Sequence, residues 1–387
     1  MTPSFCPNPK CPHHFDDAQP GSYTGTFTSA GFYATRVSGL VARFRCSSCG
    51  RYFSERTFSL DYYTKKTLDY AEVFRAVTAS ESVSAIARHL KCSSASVQNR
   101  LERLGRNALA THAHLIHGLG LAEDIVVDGF ESFDRSQYFP NNFNLLLGKD
   151  SQFLYSYTRA TLRRKGRMTR TQHKRRADLD RICPLPRNAL RRSCDRLFAA
   201  IPQLWRPVLR SPITLWTDEH RTYQQSLSAN GSIATATSQG SFIHATLPSK
   251  APRTLANPLF AANYYDRELR KDLAAFRRES TCFTRNVAAG YLRFAVYVAW
   301  HNYRKPHRVR FPVDAPSPLH AESVGISHNR IEEEMRRMIC DRAFLSKQTL
   351  SLEETDIWLK RHRTPLKRQP EYVPQFVSAG HLQGSEN

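Results

Sequence analysis

Two short apolar runs, each closed by a single carboxylate, limit what this chain can fold into more than any other feature. The first is Ile125-Val126-Val127-Asp128-Gly129-Phe130; the second, about ninety residues on, is Ile213-Thr214-Leu215-Trp216-Thr217-Asp218. Ile and Val in succession favour a strand, and an apolar run suits a strand inside a sheet covered on both faces. An Asp at the carboxyl end of such a strand sits where open α/β sheets hold their ligands. Either Asp alone reads equally well as a strand cap or the start of a turn. Two of them, separated by a strongly basic insert, point to a divalent-metal site facing a polyanion.

Charge supports the polyanion. Lys and Arg number 56 against 34 Asp and Glu in 387 residues, a net charge of +22. That excess implies a nucleic-acid or anionic-surface partner. The length allows two or three domains with real cores. Apolar runs fall far short of the roughly 18–20 residues a bilayer span needs, so no membrane association is expected. The opening Met-Thr-Pro-Ser-Phe-Cys carries no basic and apolar leader, which makes a cytoplasmic, nucleoid-associated location the expectation. Cys occurs nine times, an odd count; four cluster near the N-terminus, while Cys92, Cys183, Cys194, Cys282 and Cys340 are scattered. In a reducing compartment this distribution favours metal ligation and buried thiols over a disulfide framework.

Residues 1–60 read as a zinc ribbon. Cys6 and Cys11 form one knuckle, Cys46 and Cys49 the other, and four thiolates so arranged can surround one tetrahedral Zn²⁺. Gly50 lets the backbone turn after the second pair. Tyr23 to Phe27 and Val41 to Arg45 look like ribbon strands, and Arg43, Arg45 and Arg51 make the ribbon a candidate nucleic-acid contact or a protein-docking module. A full thiolate shell leaves no open position for water, so the zinc is expected to be structural. His13 and His14 are expected at the surface rather than as ligands.

Residues 61–118 read as a helix-turn-helix. Val83, Ile86, Ala87 and Leu90 share one helical face, and Val97, Leu101 and Leu104 share a second after Lys91-Cys92-Ser93. The outward side of the second helix carries Gln98 and Asn99, suited to base edges, and Arg100 and Arg103, suited to phosphates. An ordinary helical hairpin is the plainer alternative.

Residues 119–310 form the expected catalytic core. After the strand ending at Asp128, Asn144 to Leu147 and Phe153 to Tyr157 flank turn residues and predict a hairpin. Arg159 to Arg176 holds nine Lys or Arg and no acid, which predicts a mobile basic loop that orders on DNA, with Arg163, Arg164 and Lys165 as contacts. A helix is expected from about 187 to 204, the strand ending at Asp218 next, and a helix near 220–228. A strand at 241–246 and a long helical stretch from about 263 to 301 follow. Three strands, helix, strand, helix, strand, helix is the order of an RNase H-like fold, a mixed sheet flanked by helices.

In motif order and spacing, from Cys6 to about Arg308, the chain resembles a DDE-type transposase of a bacterial insertion sequence, of the group bearing an N-terminal zinc ribbon and helix-turn-helix. The resemblance implies that Asp128 ends strand one and Asp218 strand four. It implies that these acids hold a pair of Mg²⁺ (or Mn²⁺) ions about 4 Å apart, activating the attacking oxygen and stabilising the leaving one. It also implies a third ligand, usually Glu, on the last helix with a basic residue seven positions later; here that slot falls on Asn263, with Arg270 following. By helical periodicity Asn263, Asp266 and Arg270 share a face, whereas Glu268 points about 160° from Asp266. Asp266, or Asn263 through its amide oxygen, is therefore expected to complete the site, with Arg270 on DNA and Glu268 as the next choice. His244 is expected to be structural, and Phe294, Val298 and the Trp300-to-Tyr303 run to be core.

Residues 311–387 read as an appended helical, basic tail. Pro306, Pro312, Pro316 and Pro318 mark a linker, helices are expected at 329–344 and from Ser351, and the run from Lys360 to Arg368 is not expected to join a core. Residues 378–387 are expected to be disordered. The expected activity is transposition: binding of double-stranded DNA at inverted repeats and at the target, then cleavage and strand transfer, by a homodimer or higher oligomer. The alternatives are a catalytically inactive, transposase-derived DNA-binding regulator and, less favoured, an RNA-processing nuclease on the same fold.

Overall fold

The computed structural model describes residues 3–15, 26–206, 209–252, 254–276, 284–307 and 317–367. The expectation that Arg277, Arg278 and Phe283 continue the basic face of the long helical stretch lies outside these, as do the expectations for residues 23–25, Cys282, Arg308, Pro312, Pro316, Arg368 and 378–387.

The N-terminal part is a small antiparallel sheet of β1 (Phe27–Thr35), β2 (Gly39–Cys46) and β3 (Tyr52–Ser54) in that order. Pairing of Phe44 with Phe53 turns both rings toward the cysteines, and strand alternation then turns Arg43, Arg45 and Tyr52 outward.

Helices α1 (Tyr70–Thr78), α2 (Val83–His89) and α3 (Ser94–Ile116) follow, each started by a side-chain cap, from Asp69, Ser82 and Ser93 respectively. Lys91 takes a positive φ of 48° and closes the turn between α2 and α3. The pattern at 83–104 thus yields two helices and a tight turn, with α1 as a third. Helix α3 is longer than the pattern implies: its second half is buried at Ala108, Leu109 and Leu115.

The central sheet comprises β4 (Ile125–Asp134), β5 (Ser136–Gly148), β6 (Leu154–Thr161), β7 (Ile213–Asp218) and β8 (Phe242–Leu247), ordered β6-β5-β4-β7-β8. The β4–β5–β6 part is antiparallel, and β4, β7 and β8 run parallel. Between strands lie α4 (Arg170–Ile182), α5 (Ala189–Phe198), α6 (Ile201–Leu204), α7 (Arg221–Ala229) and α8 (Gly231–Ser238). After β8 come α9 (Phe260–Asp272), α10 (Val287–Tyr303), α11 (His320–Ser323), α12 (His328–Cys340) and α13 (Leu352–Trp358). Helix α5 covers one face, where Asn144 and Thr158 both bond Ser193; α10 covers the other, where Phe294 stacks on Phe143 at 4.7 Å.

Several expectations are corrected. The basic insert is not one loop: Arg159 belongs to β6, and residues 170–182 are helical, started by a Thr169–Gln172 capping box. Straight-chain cations are good helix formers, so a charged run need not be irregular. The helix at 187–204 is two, because Pro202, without an N–H, restarts the chain at α6. The stretch 263–301 is likewise divided between α9 and α10. Strand β4 does not stop at Asp128 but continues to Asp134 along the 13-residue β5.

The tail is not appended. One apolar cluster runs from Leu60 through α1–α3, the central sheet, α9, α10, α12 and α13 to Leu359. Within 360–367, Lys360 pairs with Glu102, and the Thr364 hydroxyl accepts the Val287 amide. Among the described residues no helix is long and apolar enough to cross a membrane.

Candidate functional site

Cys6, Cys11, Cys46 and Cys49 bring their sulfurs within 4.8 Å of one another. The Cys6–Cys49 and Cys11–Cys46 separations are 3.6 and 3.7 Å. A disulfide needs about 2.05 Å, whereas thiolates about 2.3 Å from a tetrahedral zinc lie about 3.8 Å apart. The backbone amides of Asn8, His13 and Arg51 donate to Cys6, Cys11 and Cys49, as the bends after each knuckle allow. Burial pushes the Cys49 thiol up, but the Arg51 amide, Asn8 and the neighbouring thiols bring it down to about 7. These four side chains can hold a zinc ion. His14 is buried rather than at the surface, and it is not a fifth ligand: its ring bonds the Cys6 carbonyl and the Ser346 hydroxyl, both at 2.7 Å.

The central sheet places the two strand carboxylates side by side. Ile125 pairs with Leu215 and Val126 with Trp216, so the same parallel register sets Asp128 level with Asp218. Alternation puts both on the face that carries Phe130. The pairing ends at Val126 and Trp216, and the two acids stand two residues beyond it, the position at which α/β sheets commonly hold their ligands. Asp128 accepts the Gly129 amide at 2.8 Å, and Asp218 accepts the His220 amide at 3.0 Å.

Helix α9 supplies the other candidates. Asn263 and Asp266 are both half-buried, and the Arg270 guanidinium lies 4.9 Å from the centre of the Phe130 ring. Glu268 is turned elsewhere: buried, it is ion-paired to Lys305, with Lys271 at 3.4 Å. Burial alone would raise its carboxyl, but Lys305 and Lys271 hold it below the usual range. Its role in this geometry is to anchor α9 to the segment that follows α10.

The three carboxylates share one neighbour. Burial raises the Tyr223 phenol well above its ordinary value, and Asp128, Cys194, Asp218 and Asp266 add to the rise. Tyr223 lies in the first turn of α7, its ring 5.9 Å from His220 and 6.2 Å from Phe198. The oxygens of Asp128, Asp218 and Asp266 do not all gather within 4.8 Å of one another. Carboxylate and amide oxygens are the hard donors that magnesium prefers, but the spacing is not that of a single-ion cage. His244 bonds the Thr217 hydroxyl at 2.9 Å, one residue from Asp218.

Of the side chains expected on DNA, Asn99 is exposed and Gln98 half-exposed at the start of α3. Arg100 is buried, bonded to the Lys66 carbonyl and 3.8 Å from Asp61, and Arg103 donates to the Leu60 and Tyr62 carbonyls at 2.7 and 2.8 Å. These two arginines brace the 60–66 segment. Arg163 stands 3.6 Å from Asp180, Arg164 bonds Gln137, and Lys165 is exposed. Comparison with protein-family models gives no match, and comparison with curated proteins gives none either.

Tyr223 carries no signal in the sequence. Its importance depends on which strands become neighbours, and only the Asp218-to-Tyr223 spacing, bringing it one turn into the following helix, could draw attention to it. Glu353, Asp356 and His362 also come within 4.8 Å of one another. Arg196 already neutralises that group, at 2.6 Å from Glu353 and 3.1 Å from Asp356.

Proposed function

We propose that the chain is a DNA transposase of the DDE type, which binds duplex DNA at the ends of a mobile element and cuts and rejoins strands at Asp128 and Asp218. The observation that carries this reading is the parallel register of β4 and β7, which sets the two acids level on one face of the sheet. The strand order β6-β5-β4-β7-β8, with three antiparallel strands joined to two parallel ones, supports an RNase H-like core. The four-cysteine ribbon, the capped α2–α3 pair and the net charge of +22 support a nucleic-acid partner. Asp128, Asp218 and Asp266 would hold the Mg²⁺ or Mn²⁺ ions, with Asn263 beside them, and the ions would supply Lewis-acid stabilisation of the phosphodiester oxygens. Synapsis of two ends would make the working form at least a dimer, in the cytoplasm at the nucleoid.

Asp128→Ala and Asp218→Ala are each expected to abolish cleavage of end-bearing duplex DNA in Mg²⁺ or Mn²⁺ and leave duplex binding nearly intact. Normal cleavage by either variant overturns the mechanism. The Asn at position 263, in the slot where the family usually has Glu, favours one second reading, a DNA-binding regulator without catalysis. Wild-type protein that binds the ends but cuts them in neither metal would establish that alternative.

A further inference from the structure

Where the cysteine ribbon, the start of the helical region and the 342–346 segment meet, the surface opens into a cavity of about 370 Å³. No Asp or Glu among the described residues lines it, although the chain has 34. Its walls are arginine and aromatic. Tyr62 is held between two guanidinium groups, Arg342 at 3.7 Å and Arg103 at 4.0 Å from the ring centre. Arg342 also lies 4.6 Å from the Phe344 ring. At the mouth, Tyr63 is 85% exposed, Tyr52 59% and Phe15 58%.

Exposed aromatic rings at the mouth of a cavity offer flat stacking surface to a ligand. Tyr63 also adopts a φ of +53°, a left-handed conformation that bulky residues avoid. Neighbouring Tyr62, its ring 6.0 Å away at 75°, is anchored by the arginines, so the turn presents one ring and fixes the other. An acid-free wall repels cations and attracts phosphate, and an exposed ring offers a face to a base. The space is too small for a duplex and large enough for one unstacked nucleotide.

We propose that this cavity binds an unpaired nucleotide of a nucleic-acid strand, with its base on Tyr63 or Tyr52 and its phosphate toward Arg51 and Arg342. It is distinct from duplex reading by α3 and from the acids of the central sheet, and it stands whether or not the chain cuts DNA.

The test uses zinc-loaded full-length protein, a fluorescent single-stranded dT 12-mer, an rU 12-mer and a hairpin duplex. Tyr63→Ala is expected to weaken single-strand binding about 5- to 150-fold, the value of stacking one base, and to leave duplex binding and circular dichroism unchanged. Tyr52→Ala is expected to act in the same direction. A strand carrying 2-aminopurine should be quenched by the wild type and less so by Tyr63→Ala. Binding of either 12-mer supports the site, and a preference between them names the sugar it takes. No single-strand binding, wild-type affinity in both variants, or an equal loss on the duplex overturns it. None of these outcomes depends on cleavage, so failure here leaves the Asp128 and Asp218 experiment to be judged by itself.

Discussion

Arg159 shows how far a side chain's role can depart from its surroundings in the sequence. Its cationic stretch marks it as part of a DNA-facing loop, yet it is buried in β6, paired with Asp134, with Phe143 and Tyr291 rings at 5.1 and 5.3 Å. Burial lowers its guanidinium to about 10, while Tyr291 and Glu353 oppose the fall. Asp134 also accepts from Asn141 and Thr161, both at 2.8 Å. Arg159→Met would strand a buried carboxylate, and an equilibrium urea titration should show about 3–5 kcal/mol of destabilisation. A loss below about 1 kcal/mol would mean that Asp134 is satisfied by its neutral partners. Asp128 and Asp218 are legible in the sequence because each closes an apolar run. Arg100 and Arg103 are not, because helical periodicity gives a direction from the axis but does not show that the 60–66 segment covers that side. Glu268 illustrates the reverse: the same periodicity turns it from Asp266, and the structure adds its partner, Lys305.

Among the elements, α4 is unusual in burying only Leu179. A helix polar on nearly every side depends on its cap and on whatever it meets outside the fold. Arg170, Lys174 and Arg175 are exposed on it, and they suit a phosphate backbone. Replacing these three with Gln should flatten the dependence of log Kobs on log salt for duplex DNA by about 0.9 for each phosphate no longer neutralised. An unchanged slope would exclude α4 from the interface. Capping signals and alternation make most elements legible: Ser351 and Glu354 do form the expected box at α13. Helix α8, whose 231–238 sequence is Gly-Ser-Ile-Ala-Thr-Ala-Thr-Ser, is not legible, since small and β-branched residues give little helical bias. The end of β4 escapes a local reading because its length is set by β5, a partner that neighbouring residues do not reveal.

For the molecule as a whole, the continuous core from Leu60 to Leu359 makes helices α1–α3, the central sheet and the last helices one packing unit, with the four-cysteine sheet holding a smaller core of its own. The composition suggests separable modules because linker-like prolines say nothing about what packs across them. Two responses are expected. Purified protein should carry about one zinc per chain by elemental analysis, and chelation should unfold the ribbon, since a small thiolate site contributes its own folding energy. Calorimetry of the chelated protein should still show one cooperative transition for the remainder. Absence of zinc would refute the ribbon assignment, and separate transitions for the helical region and the sheet would refute the common core.

Helix α3 carries the exposed Asn99 in its second turn, on the proposed reading side, while its buried second half is bonded through His112 to Tyr303 of α10 and the Tyr155 carbonyl of β6. At about 1.5 Å per residue, its 23 residues make a strut of about 34 Å. If the proposed chemistry holds, the distance from recognised bases to the severed bond is set by one unbroken rod. Inserting or deleting a few base pairs between them would then move the scissile phosphate out of reach rather than shift the cut, and the protein would act as a caliper on its own substrate.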